Sequence, residues 1–581
     1  MSGVVTRPEP PVTASSTRPS AAFERPPIAP RRRRFAEYRG PAALFVVAYA
    51  VYAAVGIYVV LGLNHVQEDA EARLAHAYFA IWDDPGKLAA LGFYWPPLQT
   101  LVLLPFAAIR PLATSLLALP LSSAVFAAAL LVVLERSLAL SKLHVGLRLA
   151  LVAAVGLNPM MLAYGANGMS ESLYLFFLSL AIYVFVRWTV APRWYHLPIV
   201  GFAFALGVLS RYEVGLWVPV VAVGVVGVTV HRHRSFSAVE SSVLALGAPI
   251  AYALLLWMFL NWDTVNNPIA FLEAGSFNLA DETPAASETP AASVPAVRAP
   301  EESNFSLATS VFKLEAHLFW PTLLLAGVLL LVAALKRRFV ALVLSGVLLA
   351  NGLSTLALLL MDRGGALMHL RYHIRIIPIA VVALGWLLLQ VSPARRAVVA
   401  TAALAAVVAA IPTTGAMMLR YDNAKGEGGF IDALLTGSDQ DGVPQARGTG
   451  VSIRAERAMA RYIERNVPGH NKILTDDAQT YGIMLADGHP ERYVDRIDIG
   501  DRRWKFVRDH PMGRGVRYLL MQTYLGSFGI DRDFLVDAYP TTALNQRPRP
   551  AFLKLEYSSG FYGLFKLIAP GVREDKKSVE G

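Results

Sequence analysis

LQTLVLLPFAAI, Leu98 to Ile109, decides how the whole chain is threaded. A helix over this dozen residues covers roughly 18 Å at ~1.5 Å per residue, well short of the ~30 Å hydrocarbon core of a bilayer. Counted as a crossing, it inverts every later connection and puts the basic ones outside. Read as a helix lying along the outer membrane surface, introduced by Tyr94, Trp95 and Pro96-Pro97, it leaves them all on one side. The second reading is the one adopted.

Working outward from it, Pro41 to Leu63 is an apolar run long enough to span, preceded by Arg31 to Arg34. That order reads as a signal anchor with its tail in the cytoplasm. Further spans are expected at about 113–134, 147–163, 169–187, 197–210, 214–230, 243–262, 318–335, 339–361, 374–391 and 397–413. Arg136, Lys142 and Arg148 then fall inside, as do Arg187/Arg193, His231 to Arg234, Lys336 to Arg338 and Arg395-Arg396. Eleven crossings result, with the C-terminus outside. With 55% hydrophobic and 17% charged residues among 581, the chain is too apolar for an ordinary soluble protein. Its net charge of +10 is explained by the inside connections, so nucleic acid is not expected as a partner. The absence of cysteine excludes disulfides, thiolate metal sites and a cysteine nucleophile.

The fold class expected is mainly α, a polytopic membrane helix bundle of about eleven spans with a small extracytoplasmic α/β domain at its C-terminus. Residues 1–34, rich in Pro, Ser, Thr and Ala, read as a disordered cytoplasmic tail. The membrane module covers 35–417, with a first outer loop at 64–112 and a long outer loop at 263–317 that includes the Pro/Ala/Ser/Glu-rich stretch Asp281 to Glu302. From 418 to 570 the composition is that of a water-soluble domain. SIRAERAMARYIERN has helical spacing, NKILTDD and VRYLLMQ read as short buried strands, and FLKLEY with YGLFKLI as a closing hairpin. A polar tail, 571–581, follows.

Polar residues gather where these helices leave the outer surface. In NHVQEDAEARLAHAYFAIWDDPGKLAALGFYWPP, Asn64 to Pro97, the acids Glu68, Asp69 and Glu71 follow directly on the first span. Acids at a membrane exit are costly unless they meet water or a cation, so they mark either a site or a solvated loop. Tyr164 to Glu171 is a polar break between two spans, and Glu171 opens the next helix either as a cap or as a functional group. Arg211-Tyr212-Glu213 lies between two short spans, its charges either paired with each other or facing substrate. His369, Arg371, Tyr372, His373 and Arg375 crowd the outer start of another span. Guanidinium forks suit a lipid phosphate arriving at that depth, with interfacial snorkelling as the alternative. Carboxylates and guanidinium groups on one face suit glycosyl transfer from a lipid phosphate. The carboxylate takes the proton of an acceptor hydroxyl, and the arginines stabilise the departing phosphate.

The layout resembles the GT-C superfamily of polyprenyl-phosphate-sugar-dependent glycosyltransferases, which includes protein O-mannosyltransferases and GPI-type mannosyltransferases. Glu68-Asp69 resembles the family's acidic pair on the first outer loop, and Leu98 to Ile109 one of its juxtamembrane helices. YWPPLQTLVLLPF, NPMMLAYGANGMSESLYLFF and LSRYEVGLWVP are similar to its Pro-Leu segment, its second outer loop and the helix break of its GPI branch. The pair here reads Glu-Asp where the O-mannosyltransferases have Asp-Glu. The resemblance therefore carries the general-base role to Asp69 with Glu68 second and Glu171 as a further acid. It places Arg211, Arg371, Tyr372, His373 and Arg375 at the lipid phosphate, and Glu71, Tyr94, Trp95 and Glu213 at or behind the acceptor. It implies an inverting transfer of mannose, or of arabinose, from a polyprenyl-phosphate donor to a glycan, lipid or protein acceptor. Membrane lipids are the remaining partner. No cofactor is required by these residues, although Asp69, Glu71 and Glu171 together would suit a divalent cation. A flippase for lipid-linked substrates and a non-enzymatic envelope scaffold are the rival functions.

Overall fold

Backbone groups in hydrocarbon have no water to bond, so each apolar run closes its hydrogen bonds internally as a helix. The structure, a computed structural model, describes residues 31–84, 86, 88–91, 95–269, 271, 304–360, 370–420, 425–441, 452–495, 501–522, 535, 538, 539 and 552–568. The chain divides into two units, Met1–Ala43 and Leu44–Gly581.

The first half of the bundle runs α1 (Arg31–Ile57), α2 (Glu68–Trp82), α3 (Leu98–Ala107), α4 (Arg110–Thr114), α5 (Ala118–Ala139), α6 (Val145–Gly156), α7 (Pro159–Ala166), α8 (Glu171–Val190) and α9 (His196–Ser210). The second half runs α10 (Trp217–His233), α11 (Phe236–Val265), α12 (Asn304–Lys336), α13 (Phe339–Leu360), α14 (Ile376–Gln390) and α15 (Pro393–Arg420). Among the described residues eight helices are long and apolar enough to cross a bilayer, or nine if α6 and α7, bent by 72°, form one broken span. The expected eleven crossings are therefore eight or nine by length and composition. The remaining two expected spans fall on the shorter apolar helices His196–Ser210 and Phe339–Leu353.

Leu98 to Ile109 behaves as its length dictates. It forms α3, ten residues with Pro105 inside, packed on α2 and α5. Its one amide side chain, Gln99, is buried and donates to the carbonyl of Gly168 at 3.0 Å. Arg31 to Arg34 are helical, as the start of α1, and α12 is interrupted by a kink at Phe319, beside the expected start of its span at 318. The rest of the tail, and Asp281 to Glu302, lie outside the described residues.

The C-terminal region adds α16 (Lys425–Thr436), α17 (Ile453–Asn466), α18 (Asp477–Asp487) and α19 (Asp501–Asp509). Its strands are β1 (Ile473–Thr475), β2 (Tyr493–Val494), β3 (Tyr518–Gln522), β4 (Leu553–Ser559) and β5 (Tyr562–Leu567), in the order β2-β1-β3-β5-β4. β1 is parallel to β2 and β3; β5 is antiparallel to β3 and β4. The expected helix, two strands and hairpin are present, while the two-residue β2 was too short to read from its sequence. Apolar Ile453, Met459, Ala460 and Ile463 of α17 are buried, as periodicity requires. This region sits on α2. Helix α18 packs against it, and the Tyr78 hydroxyl donates to the carbonyl of Gly488 at 2.8 Å.

Candidate active site

Helix α2 begins where Glu68, Asp69 and Glu71 occupy the first turn, a place the helix dipole favours for acids. Residues four apart share a face, so Asp69 and Arg73 look the same way, while Glu71, about 200° round from Asp69, looks the other. The two faces meet different neighbours.

On the first face, Arg371 Nη1 donates to Asp69 Oδ2 at 3.0 Å across 302 residues of chain. Burial alone would raise the Asp69 carboxyl, but the charges of Arg371, Arg73 and Arg211 outweigh it and hold it below its usual value. Arg73 is buried with its guanidinium 4.9 Å from the Trp95 ring centre, and its Nε and Nη1 have no hydrogen-bond partner among the described residues. Burial weakens the charged form of this guanidinium, with Asp69 opposing that effect. Nε of Arg371 is likewise unanswered.

The opposite wall is built by the break between α9 and α10. Arg211 donates to Glu213 through Nη2 at 2.8 Å and Nε at 3.3 Å, and to Glu171 through Nη1 at 2.6 Å. Tyr372 stands between the two arginines, its ring centre 5.2 Å from the Arg211 Cζ and 5.3 Å from that of Arg371. Glu171 is fully buried in the first turn of α8, so it is an ion-pair partner and more than a cap. The turn before it is locked from below. Ser123 Oγ donates to Gly165 O at 3.0 Å and accepts from Gly168 N, while Gln99 holds the Gly168 carbonyl. Gly168 has φ +80°, and a Cβ there would stand 2.4 Å from that of Leu119, so the turn requires glycine.

Several expected site residues go elsewhere. His373 hydrogen-bonds Glu315 at 2.9 Å and Asn351 at 3.2 Å, and Arg375 donates to Asn351 while stacking 4.7 Å from the Trp217 ring centre. Both are buried, and their hydrogen bonds tie the start of α14 to α12 and α13. The reason is position: two and four residues beyond Arg371, at the buried start of α14, only partners inside the bundle can answer them. Glu71 leaves the Asp69 face altogether. It is 1% exposed and interacts with Glu456 of α17, whose Oε1 also accepts from the Tyr562 hydroxyl at 2.9 Å. Burial, with the Glu68 charge adding to it, pushes the Glu71 carboxyl up to about 7, and burial with Glu71 beside it raises Glu456 well above the usual range. Glu68 acts on this second cluster, which includes Tyr481. Asp69, Glu71 and Glu171 thus have three different partners, and among the described residues no three acids or histidines form a metal-ligating set. Tyr94 and His369 lie outside the described residues.

Sequence reading missed Arg73, Gln99, Glu456 and the hydrogen bond at 2.5 Å from the Tyr164 hydroxyl to Glu427 Oε1, which fixes α16 over the break. Only Gln99, a lone amide in an apolar run, and Arg73, four residues after Asp69, carried any signal.

No protein-family model matches the sequence, and no curated protein matches it. Among solved structures, the chain is similar to the crystal structure of ArnT from Cupriavidus metallidurans bound to undecaprenyl phosphate. The TM-score is 0.51 at 14% identity, covering 91% of this chain and 99% of that one. The apo crystal structure of the same protein gives 0.49 at 16% identity, over 90% and 98%. The first likeness shows a shared fold: a mainly helical membrane bundle carrying a small mixed sheet.

Proposed function

We propose that the chain is an inverting membrane glycosyltransferase of the GT-C kind, moving a sugar from a polyprenyl-phosphate donor to an acceptor hydroxyl. The observation that carries this reading is the Asp69–Arg371 pair with the unanswered donors of Arg73 beside it. A donor phosphate satisfies Nε and Nη1 of Arg73 and competes for Arg371, which releases the Asp69 carboxylate. Asp69 then takes the acceptor proton as the hydroxyl oxygen attacks C1 of the sugar. The C1–O bond to phosphate breaks, its electron pair stays on the phosphate, and the two guanidinium groups stabilise that charge. Asp69 is preferred to Glu68 because Glu68 belongs to the Glu71–Glu456 cluster. The shared fold supports a lipid-phosphate donor, since ArnT was crystallised with undecaprenyl phosphate.

Mannose, or else arabinose, is the sugar that the sequence resemblance favours. We place the site outside the cytoplasm. The basic clusters lie at or just after the C-terminal ends of α5, α8, α10, α12 and α14, whereas Glu171, Arg211 and Arg371 lie at or just before the N-terminal ends of α8, α10 and α14. Residues 418–570 then form an extracytoplasmic module over the cavity. The test is incubation of the reconstituted protein with a panel of synthetic polyprenyl-phosphate sugars and a mixed envelope extract. Release of polyprenyl phosphate coupled to a glycosylated acceptor is expected. Translocation of the intact donor without cleavage of its C1–O bond would replace the enzyme with a flippase.

A further inference from the structure

A groove between the end of the first span and the C-terminal region shares no lining residue with the Asp69–Arg371 cluster. It holds about 380 Å3 and is lined by Leu61, Thr114, Ser115, Arg457, Arg461 and Ala486. Leu61 belongs to the last turn of the span Arg39–Gly62 and is 47% exposed, so the groove opens at the level where hydrocarbon ends. Arg457 and Arg461 stand four residues apart on α17 and reach from one face. Neither makes an ion pair or hydrogen bond among the described residues, whereas Arg454 on the same helix is tied to Asp439 and Asp441. Thr114 and Ser115 give their protons to the carbonyls of Arg110 and Pro111, which leaves the two guanidinium groups as the open donors. Glu71 and Glu456 lie beside Arg457 in an adjoining enclosed space, where their raised carboxyls limit the negative charge they set against it.

We infer that this groove binds the phosphate head group of an anionic membrane lipid, separately from the donor cavity. Two planar forks suit a phosphate with two ionised oxygens. Leu61 and Ala486 give the start of an acyl chain an apolar wall, which a free phosphate ion does not use. Occupancy is measured without sugar transfer, so its failure and that of the proposed reaction are distinguishable.

The experiment is native mass spectrometry of the full chain in detergent, in an Arg73→Ala background that weakens the donor cavity. Dioleoyl phosphatidic acid is added, with dioleoyl phosphatidylcholine and inorganic phosphate as separate competitors. The expected result is retention of phosphatidic acid that neither competitor displaces, weakened about tenfold or more by R457Q/R461Q. Arg465→Gln, on the same helix outside the groove, is expected to retain the lipid, and melting curves confirm that each variant is folded. Equal retention by R457Q/R461Q, equal loss in Arg465→Gln, or displacement by phosphatidylcholine would overturn the site. Displacement by inorganic phosphate at the same concentration would make it a free-anion site and overturn the lipid assignment.

Discussion

Arg211 and Arg73 both bear on the Asp69 carboxylate, and the fold treats them in opposite ways. Arg211 uses three nitrogens on two carboxylates that the α8 and α10 starts hold in place. Arg73 is as buried, yet two of its nitrogens have no partner among the described residues, and its guanidinium lies against the face of Trp95. Leaving a buried donor unanswered costs about 1–3 kcal/mol, more for a charged group, and a fold keeps such a group where something else will answer it. The wall around Arg211 is therefore a strut. The wall around Arg73 and Arg371 is, on the proposed reading, a place held for an anion.

Removing the strut gives the largest effect. Arg211→Ala leaves Glu171 buried without its cation and is expected to lower folding stability by about 3–5 kcal/mol, seen as a drop in melting temperature in detergent, partly restored by Arg211→Lys. If Arg211→Ala melts like the parent but no longer binds donor, the two walls have exchanged roles. Asp69→Asn comes next. It is expected to cut turnover about 10²–10⁴-fold while donor affinity holds or tightens, because the carboxylate that competes for Arg371 is gone, measured as kcat against KM; fold stability changes little, since the carboxylate is 39% exposed. Arg73→Ala is expected to weaken donor binding about 10–100-fold by equilibrium titration, while the melting temperature holds or rises because an unanswered buried charge is gone. A fall in stability with unchanged donor binding would make Arg73 a strut as well.

The smallest effect belongs to the far face of α2. The Glu71 carboxyl sits at about 7 in the folded protein against 4.5 in the open chain, so the fold holds its proton. That contribution is complete below the open-chain value and is lost as pH rises through the folded one. Melting temperature should therefore fall from about pH 5 to about pH 8 in the parent, while in Glu71→Gln it should be flatter. A steeper fall in Glu71→Gln would place the carboxylate, rather than the acid, in the folded state.

Which parts of this were legible depended on how local the cause was. Leu98 to Ile109 could be read because a helix of that length cannot reach across hydrocarbon, whatever surrounds it. The Arg211–Glu213 pair and the strands Ile473–Thr475 and Tyr562–Leu567 rest on adjacency and periodicity. Arg73 was not legible as a site residue, because an acid and an arginine four apart on a helix ordinarily form a solvated pair. Here Arg371, 302 residues further along the chain, takes the acid. Glu71 and Glu456 are separated by most of the sequence, and only the docking of α17 and α18 on α2 makes them neighbours. His373 and Arg375 were expected at a lipid phosphate, from guanidinium chemistry at the outer start of a span. The direction of a side chain at the start of a span is set by what packs beside it, here Glu315, Asn351 and Trp217.

The most direct measurement is a single-turnover transfer assay with a synthetic polyprenyl-phosphate mannose and its arabinose counterpart, comparing the parent with Asp69→Asn at saturating donor. The expected result is cleavage of the sugar–phosphate bond by the parent and bound but uncleaved donor in the variant. Equal cleavage by both proteins would contradict the role of Asp69, and donor binding that survives loss of both Arg73 and Arg371 would contradict the anion site itself.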